Sequence, residues 1–227
     1  MQQMKNLSKI DIHALIGKDS PIILDVGSYD GNDSKLLNEL FAGDPLFFCF
    51  EPDPRSIALF KKLNSHNCNL YLHEFALTNV NGTIDFYLSD SETRRHYQDQ
   101  QSWSASSSIK KPKFHLELFP DVTFREKTKV ESLRLDDWYA VKLSRSKAII
   151  DFVWADVNGG EEDFVMGGVH TLNACTRYLY IEVSDKELYE NEASKQRILD
   201  LLPNFEIVDT FNDLGNFCNI LLKNKTL

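Results

Sequence analysis

Several features that would fix a function at sight are missing from this chain. Its four cysteines, Cys49, Cys68, Cys175 and Cys218, are scattered with no Cys-x-x-Cys pair. Neither a zinc site nor a disulfide framework is supported, and the usage fits a reducing compartment. The longest uninterrupted apolar run is Leu46-Phe47-Phe48-Cys49-Phe50, far too short to span a bilayer, and the N-terminus has no apolar signal-peptide core. These absences predict a soluble, cytoplasmic protein without a membrane partner. Basic residues are outnumbered, 25 against 34 acidic ones, for a formal net charge of −9, so bulk electrostatic capture of nucleic acid is disfavoured. The basic cluster Lys110, Lys111, Lys113 reads as a solvated loop rather than a groove. No Gly-x-Gly-x-x-Gly and no Gly-Lys-Ser/Thr occurs, which counts against a dinucleotide fold and against a phosphate-cradling loop.

What is present starts with Pro21-Ile22-Ile23-Leu24-Asp25-Val26-Gly27-Ser28-Tyr29-Asp30-Gly31. An apolar strand ends in an acid and a glycine turn, and Leu36, Leu37, Leu40 and Phe41 then give a helical spacing. Strand, tight turn and helix start are how α/β sheets build nucleotide pockets. Gly27 lets backbone approach a ligand, and Gly31 tolerates the turn's dihedrals.

The remaining pattern, over 227 residues of which 42% are hydrophobic, predicts one domain, 1–227. Residues 7–16 give a short covering helix. Strands are expected at 21–26, Leu46–Phe50 and Asn69–Phe75, with helices at 32–41 and from Asp53-Pro54 onward, where Asp53 caps and Pro54 starts the helix. Asn81-Gly82 reads as a hairpin turn with 83–88 returning. Ser89–Lys113 is polar and aperiodic, with Trp103 and Ser106-Ser107-Ser108 inside it, and 89–125 reads as a substrate-side lid. A helical turn at Phe114–Phe119, a strand at Thr123–Val130 and a helix approached through Ser132–Tyr139 follow. Ile149–Val157 is nearly all apolar, the mark of a central strand covered on both faces. A helix after Glu161 carries Gly167-Gly168, where close packing is expected. Tyr178–Val183 is a strand, 192–202 a helix, and Phe205–Thr210 with Phe217–Leu222 a closing antiparallel hairpin. The expected fold is α/β, Rossmann-like, with a mostly parallel sheet, helices on both faces and a C-terminal antiparallel hairpin. That hairpin distinguishes a class I methyltransferase sheet from a dinucleotide-binding one.

Glu51 ends the strand after the glycine turn, where an acid accepts hydrogen bonds from ribose hydroxyls. An uncharged glycine turn with a ribose acid suits S-adenosylmethionine, whose amino-acid end is zwitterionic and carries no phosphate.

The chain resembles the FkbM family of methyltransferases. The resemblance rests on Asp25-Val26-Gly27-Ser28-Tyr29-Asp30-Gly31, Phe50-Glu51-Pro52-Asp53-Pro54, Ala76-Leu77-Thr78 with Gly82, the serines 106–108, Leu135-Asp136, Asp151-Phe152-Val153-Trp154-Ala155-Asp156-Val157-Asn158-Gly159-Gly160-Glu161, and Glu182. Trp154 stands where the family usually has Lys, Asn158 where it usually has Glu, and Ser28-Tyr29 replace Ala-Asn. The resemblance implies methyl transfer from S-adenosylmethionine to a hydroxyl of a small acceptor, a sugar or natural-product type. It places Asp25, Gly27, Ser28, Tyr29, Gly31, Glu51, Pro52, Phe75, Ala76, Ser107 and Asp156 around the cofactor, with Ser106 and Ser107 closing over it or touching the acceptor. Asp156, beside the methyl group or orienting the cofactor's amino group, joins Asn158 and Glu182 as the catalytic set. His73 and His96 are weaker base candidates. Asp156, Asn158 and Glu182 have oxygens that suit Mg²⁺, but no spacing singles this out and no metal is assigned. Rival readings are a nicotinamide dehydrogenase, a binding module that kept the fold and lost turnover, suggested by Trp154 and Asn158, and a methyltransferase of RNA or another macromolecule. Oligomeric state and the acceptor's identity are not encoded in any motif.

Overall fold

The computed structural model describes residues 11–94, 103–213, 215 and 217–227. Leu7 and Ile10 of the expected first helix, and the base candidate His96, lie outside them. The helix that is described, α1 (Ile12–Ile16), begins where the Asp11 carboxylate accepts from the Ala14 amide at 2.9 Å and ends on left-handed Gly17.

Seven strands form the main sheet, in the order β3-β2-β1-β7-β8-β10-β9. They are β1 (Ile22–Val26), β2 (Leu46–Phe50), β3 (Leu70–His73), β7 (Ile150–Ala155), β8 (Thr176–Ser184), β9 (Phe205–Phe211) and β10 (Phe217–Asn224). The first five run parallel, and β10 is antiparallel to both β8 and β9. Strand order reverses between β1 and β7, and their C-terminal ends therefore flank the crevice where such sheets bind ligands.

Side-chain alternation splits the core in two. Leu24, Val26, Val153 and Ala155 face one layer, and Ile23, Phe152, Trp154 and Tyr180 face the other. On the second face lie α1, α2 (Asn32–Asn38) and α3 (Pro54–Leu63), contributing Ile12, Leu37 and Phe60. After the short α4 (His115–Leu118), the first face carries α5 (Leu135–Lys142), α6 (Glu161–Gly167), α7 (Val169–Cys175) and α8 (Lys195–Leu201). Every residue of β7 is buried, as its apolar run predicts. The helix α3 opens as read: the Asp53 carboxylate accepts from the Arg55 amide, with Pro54 in the first position.

Two expectations are corrected. The third strand stops at His73, and 83–88 does not fold back on it. Instead β4 (Ala76–Leu77) and β5 (Gly82–Asp90) join β6 (Thr123–Leu133) in a separate three-stranded sheet, β4 parallel and β5 antiparallel to β6. The parallel edge strand β3 offers four half-exposed residues, whereas β6 offers eleven, so the longer ladder wins. The glycine pair also does more than pack closely. A Cβ on Gly167 would sit 1.9 Å from the Thr78 carbonyl oxygen and one on Gly168 would sit 2.7 Å from Leu135, so the chain breaks into α6 and α7. The Asp136 carboxylate then accepts from the Thr171 amide at 2.8 Å, in the new first turn. In the lysine cluster Lys111 and Lys113 are exposed, as a solvated loop predicts, and pair across the surface with Glu190 and Glu187, while Lys110 is half-buried and pairs with Asp163.

Candidate active site

The switch point brings together residues that are distant in sequence. The register pairs Val26 with Ala155 and Ala155 with Ile181. Gly27, Asp156 and Glu182 therefore form the next row, at the C-terminal edge of β1, β7 and β8. The approach is tight: Gly27 has φ +88°, and a Cβ there would meet the Asp156 carbonyl oxygen at 1.9 Å. Gly31 has φ +71° and stands against the Phe60 ring, and Tyr29 between them takes φ +49°. The glycine positions are thus demanded by geometry.

Asp25 lies in the row below, opposite Trp154. It is buried and accepts a hydrogen bond from Ser34 Oγ, and burial pushes its carboxyl up to about 7. Glu51 bridges the turn to the start of α3. Its two carboxyl oxygens accept from the Tyr29 amide at 2.8 Å and the Asp53 amide at 2.7 Å, and burial raises its pKa to about 8. Glu161, in the first turn of α6, accepts from the Val157 and Gly159 amides at 3.3 Å and is raised by burial to about 8. Glu182 is held well above the ordinary carboxylate range, first by desolvation and then by Asp156, Glu161 and Glu192. A nest of carboxylates thus lies at the strand ends, where burial first, and then neighbouring carboxylates with Asp156 among them, raise the proton affinity of Asp25, Glu161 and Glu182. Ser28 Oγ is buried there with no hydrogen-bond partner among the described residues.

The segment 103–108 covers this nest. Its polar composition, read as part of a substrate-side lid, is spent internally, because Ser104, Ser106, Ser107 and Ser108 are all buried. Ser104 Oγ lies 2.9 Å from Ser56 Oγ. Ser107 Oγ donates to Asp53 at 2.9 Å and accepts from the Ser89 amide at 3.0 Å. Trp103 packs beside Tyr29 with ring centroids 6.4 Å apart. Tyr189 was not singled out in sequence, lying in a polar stretch with no motif. Its ring covers Gly159, where a Cβ would come within 2.7 Å. Its hydroxyl lies 3.0 Å from the Ser106 carbonyl and 3.4 Å from Asn158 Oδ1.

The sequence candidates therefore divide. Asp25, Gly27, Ser28, Tyr29, Gly31, Glu51, Asp156 and Glu182 converge on the switch point. Pro52 follows Glu51 on the way into α3. Ser107 belongs to the cover. Phe75 packs on Phe50 at 5.7 Å, and Ala76 is buried in β4, one strand away on the β2 side. Trp154 is a core residue, 3% exposed with its ring 5.4 Å from Tyr180. His73 stacks on Phe50 at 4.9 Å, accepts from the Trp138 indole, and is lowered by burial to about 4, so it is a packing residue. Among the described residues no cluster of three or more His, Cys, Asp or Glu is arranged to hold a metal ion. No helix there is long and apolar enough to cross a membrane. Open depressions of about 450 and 580 Å³ flank α3 and β5, but neither contains the strand-end acids.

The methyltransferase FkbM domain model matches residues 25–215. The chain belongs to the FkbM methyltransferase family. The 2-O-methyltransferase NoeI of Sinorhizobium fredii is 39% identical over 98% of this chain and 89% of its own length. Among solved structures, an FkbM methyltransferase from Methylobacillus flagellatus superposes with a TM-score of 0.54 at 14% identity, over 90% of this chain and 44% of that one. Fibrillarin of Aeropyrum pernix with natively bound S-adenosylmethionine superposes with a TM-score of 0.51 at 13% identity, over 94% of this chain and 74% of that one. The fold is the Rossmann-like class I methyltransferase fold, and the enzyme's methyl donor is S-adenosylmethionine. The site of this FkbM methyltransferase fits that donor. Its glycine turn carries no phosphate-binding cation, its acid nest suits a sulfonium and an ammonium, and the orphaned Ser28 hydroxyl offers a polar contact.

Proposed function

We propose that residues 1–227 form one domain that methylates a hydroxyl oxygen of an uncharged, sugar-like small molecule in the cytoplasm. The observation that carries the reading is the acid nest at the β1–β7 switch point, beside a glycine turn that admits backbone-close ligands. The segment 89–125 is the acceptor side. The name of the NoeI relative supports oxygen as the atom methylated.

When bound, the donor supplies a methyl group on a positively charged sulfur. Everything else is alignment and proton handling by the chain. Glu51 is assigned to the ribose hydroxyls, with Pro52, Phe75 and Ala76 toward the adenine. Gly27, Ser28, Tyr29, Gly31, Asp25 and Asp156 are assigned to the amino-acid end and the sulfonium. Glu182 would take up the acceptor hydroxyl's proton at its carboxylate. Burial and the neighbouring Asp156 carboxylate raise its proton affinity, which strengthens it as a base.

The test is calorimetric titration of S-adenosylhomocysteine into wild type and Glu51→Ala, followed by a screen of neutral glycosides with methyl-labelled donor. One-to-one binding that weakens at least tenfold in the variant supports the assignment. Equal binding by both would remove Glu51 from it, and label transfer undiminished in Glu182→Gln would remove Glu182 as base.

A further inference from the structure

Asn158 occupies the position where the family usually carries an acid, and its contacts account for the change. The residue takes left-handed backbone, φ +51°, two positions after the strand-end acid Asp156. Its Nδ2 donates to the Ala105 carbonyl at 3.2 Å, its Oδ1 lies 3.4 Å from the Tyr189 hydroxyl, and its own carbonyl accepts from Ser108 Oγ at 2.6 Å. The side-chain amide thus works as donor and acceptor at once. A glutamate could accept from Tyr189 but could not donate to Ala105, and it would add a charge to a space already crowded with Asp156, Glu161 and Glu182.

Tyr189 completes the arrangement. It is 2% exposed, backed by His115 at 5.3 Å and Phe124 at 6.4 Å. Burial, together with Glu182, Asp156, Glu161 and Glu192, holds its phenol protonated. The hydroxyl is a permanent donor, shared between Ser106 and Asn158. Its backbone is anchored independently, since the Glu190 amide donates to the Lys111 carbonyl at 2.8 Å and the Lys113 amide to the Leu188 carbonyl at 2.8 Å.

We propose that Asn158 and Tyr189 are positioning residues that clamp segment 103–108 over the strand ends, so that the Asn158 amide serves the cover and not the acceptor. The proposal rests on the reading that the strand ends hold the cofactor. The clamp fixes the height of the roof over the methyl group and sets how fast cofactor product leaves.

Trp103 reports on the clamp, because it is the half-buried tryptophan of the cover while Trp138 and Trp154 are 2% and 3% exposed. Acrylamide quenching of the full chain, with Trp103→Phe as background, is compared among wild type, Tyr189→Phe and Asn158→Asp. Stopped-flow release of S-adenosylhomocysteine is measured on the same proteins. Tyr189→Phe keeps the ring over Gly159 and deletes the donor. Asn158→Asp keeps the acceptor and deletes the donation to Ala105. Losing the neutral hydrogen bond in Tyr189→Phe is expected to raise both Trp103 quenching and the release rate about fivefold, and Asn158→Asp, which also adds a charge, to raise both at least as much, with melting temperatures showing that both variants are folded. Unchanged quenching and release in both folded variants overturns the clamp. If wild type binds no S-adenosylhomocysteine, the cofactor reading fails, and the quenching comparison alone still decides for or against the clamp.

Discussion

Glu51 is the residue whose energetics can be worked furthest. Its carboxyl is buried, accepts one backbone N–H on each oxygen, and has a pKa of about 8 in the folded chain against an ordinary 4.5. Between those values the folded state keeps a proton that the unfolded state has lost. Stability contributed by this group is therefore complete below pH 4.5 and drains away as pH rises through the window. The slope is about 1.4 kcal/mol per pH unit. Glu51→Gln abolishes that slope but sets an NH₂ against one of the two backbone N–H groups, a cost of about 1–3 kcal/mol. At pH 5.5 the variant is expected about 2 kcal/mol below wild type. By pH 7.5 the difference has moved about 3 kcal/mol in its favour, and the two stability curves cross. Urea unfolding at half-unit pH steps, with unchanged m-values, reads this directly. A gap that stays constant from pH 5.5 to 7.5 would refute the shifted proton. The same reasoning predicts that S-adenosylhomocysteine, by donating ribose hydroxyls to the carboxylate, lowers the Glu51 pKa and releases a proton on binding near pH 7. Calorimetry in two buffers of different ionisation enthalpy measures that release.

Gly27→Ala adds a clash with the Asp156 carbonyl to a left-handed backbone, whereas Gly82 has φ +120° but nothing within 4 Å of its absent side chain. Gly27→Ala is expected to cost more than about 3 kcal/mol and Gly82→Ala about 1–2 kcal/mol, compared by thermal unfolding. Trp154→Lys, which restores the family's usual residue, places an ammonium against Tyr180 in the core. It should destabilise the chain by about 3–5 kcal/mol in urea without improving turnover, and a gain in activity would count against the core assignment. Ser28→Ala removes a buried hydroxyl that has no partner among the described residues. It should leave the melting temperature unchanged or slightly higher while weakening S-adenosylhomocysteine binding several-fold, and undiminished binding would remove Ser28 from the pocket.

The parts of this fold that could be read from sequence are those fixed by local chemistry. Asp53-Pro54 starts a helix because of cap and ring geometry, and the apolar run 149–157 sits centrally because nothing in it tolerates water. Glycines 27 and 31 were legible because few other residues fit a turn of that hand. The small second sheet was not legible, since β5 chooses between β3 and β6 by ladder length, a comparison no local pattern records. Motif residues hide different jobs as well. Asp151 accepts from the Lys18 ammonium and the Ile22 amide at the far end of β7, and Leu135-Asp136 braces the break between α6 and α7. Both belong to the motifs that carry the family resemblance, and both are scaffolding in space. Tyr189 had no signal, because its importance lies in what folds over it.

The interior position of β10 has a consequence for biosynthesis. A nascent chain that has emerged through Phe211 holds β8 and β9 with no neighbour between them, because the strand that joins the two is made afterwards. Until Phe217–Asn224 inserts, β8 presents an open hydrogen-bonding edge that runs through Glu182, in the acid nest, to Ser184. During synthesis the β8 half of the sheet therefore carries an adhesive edge, and the strand ends around Glu182 become both rigid and safe only when Phe217–Asn224 is in place.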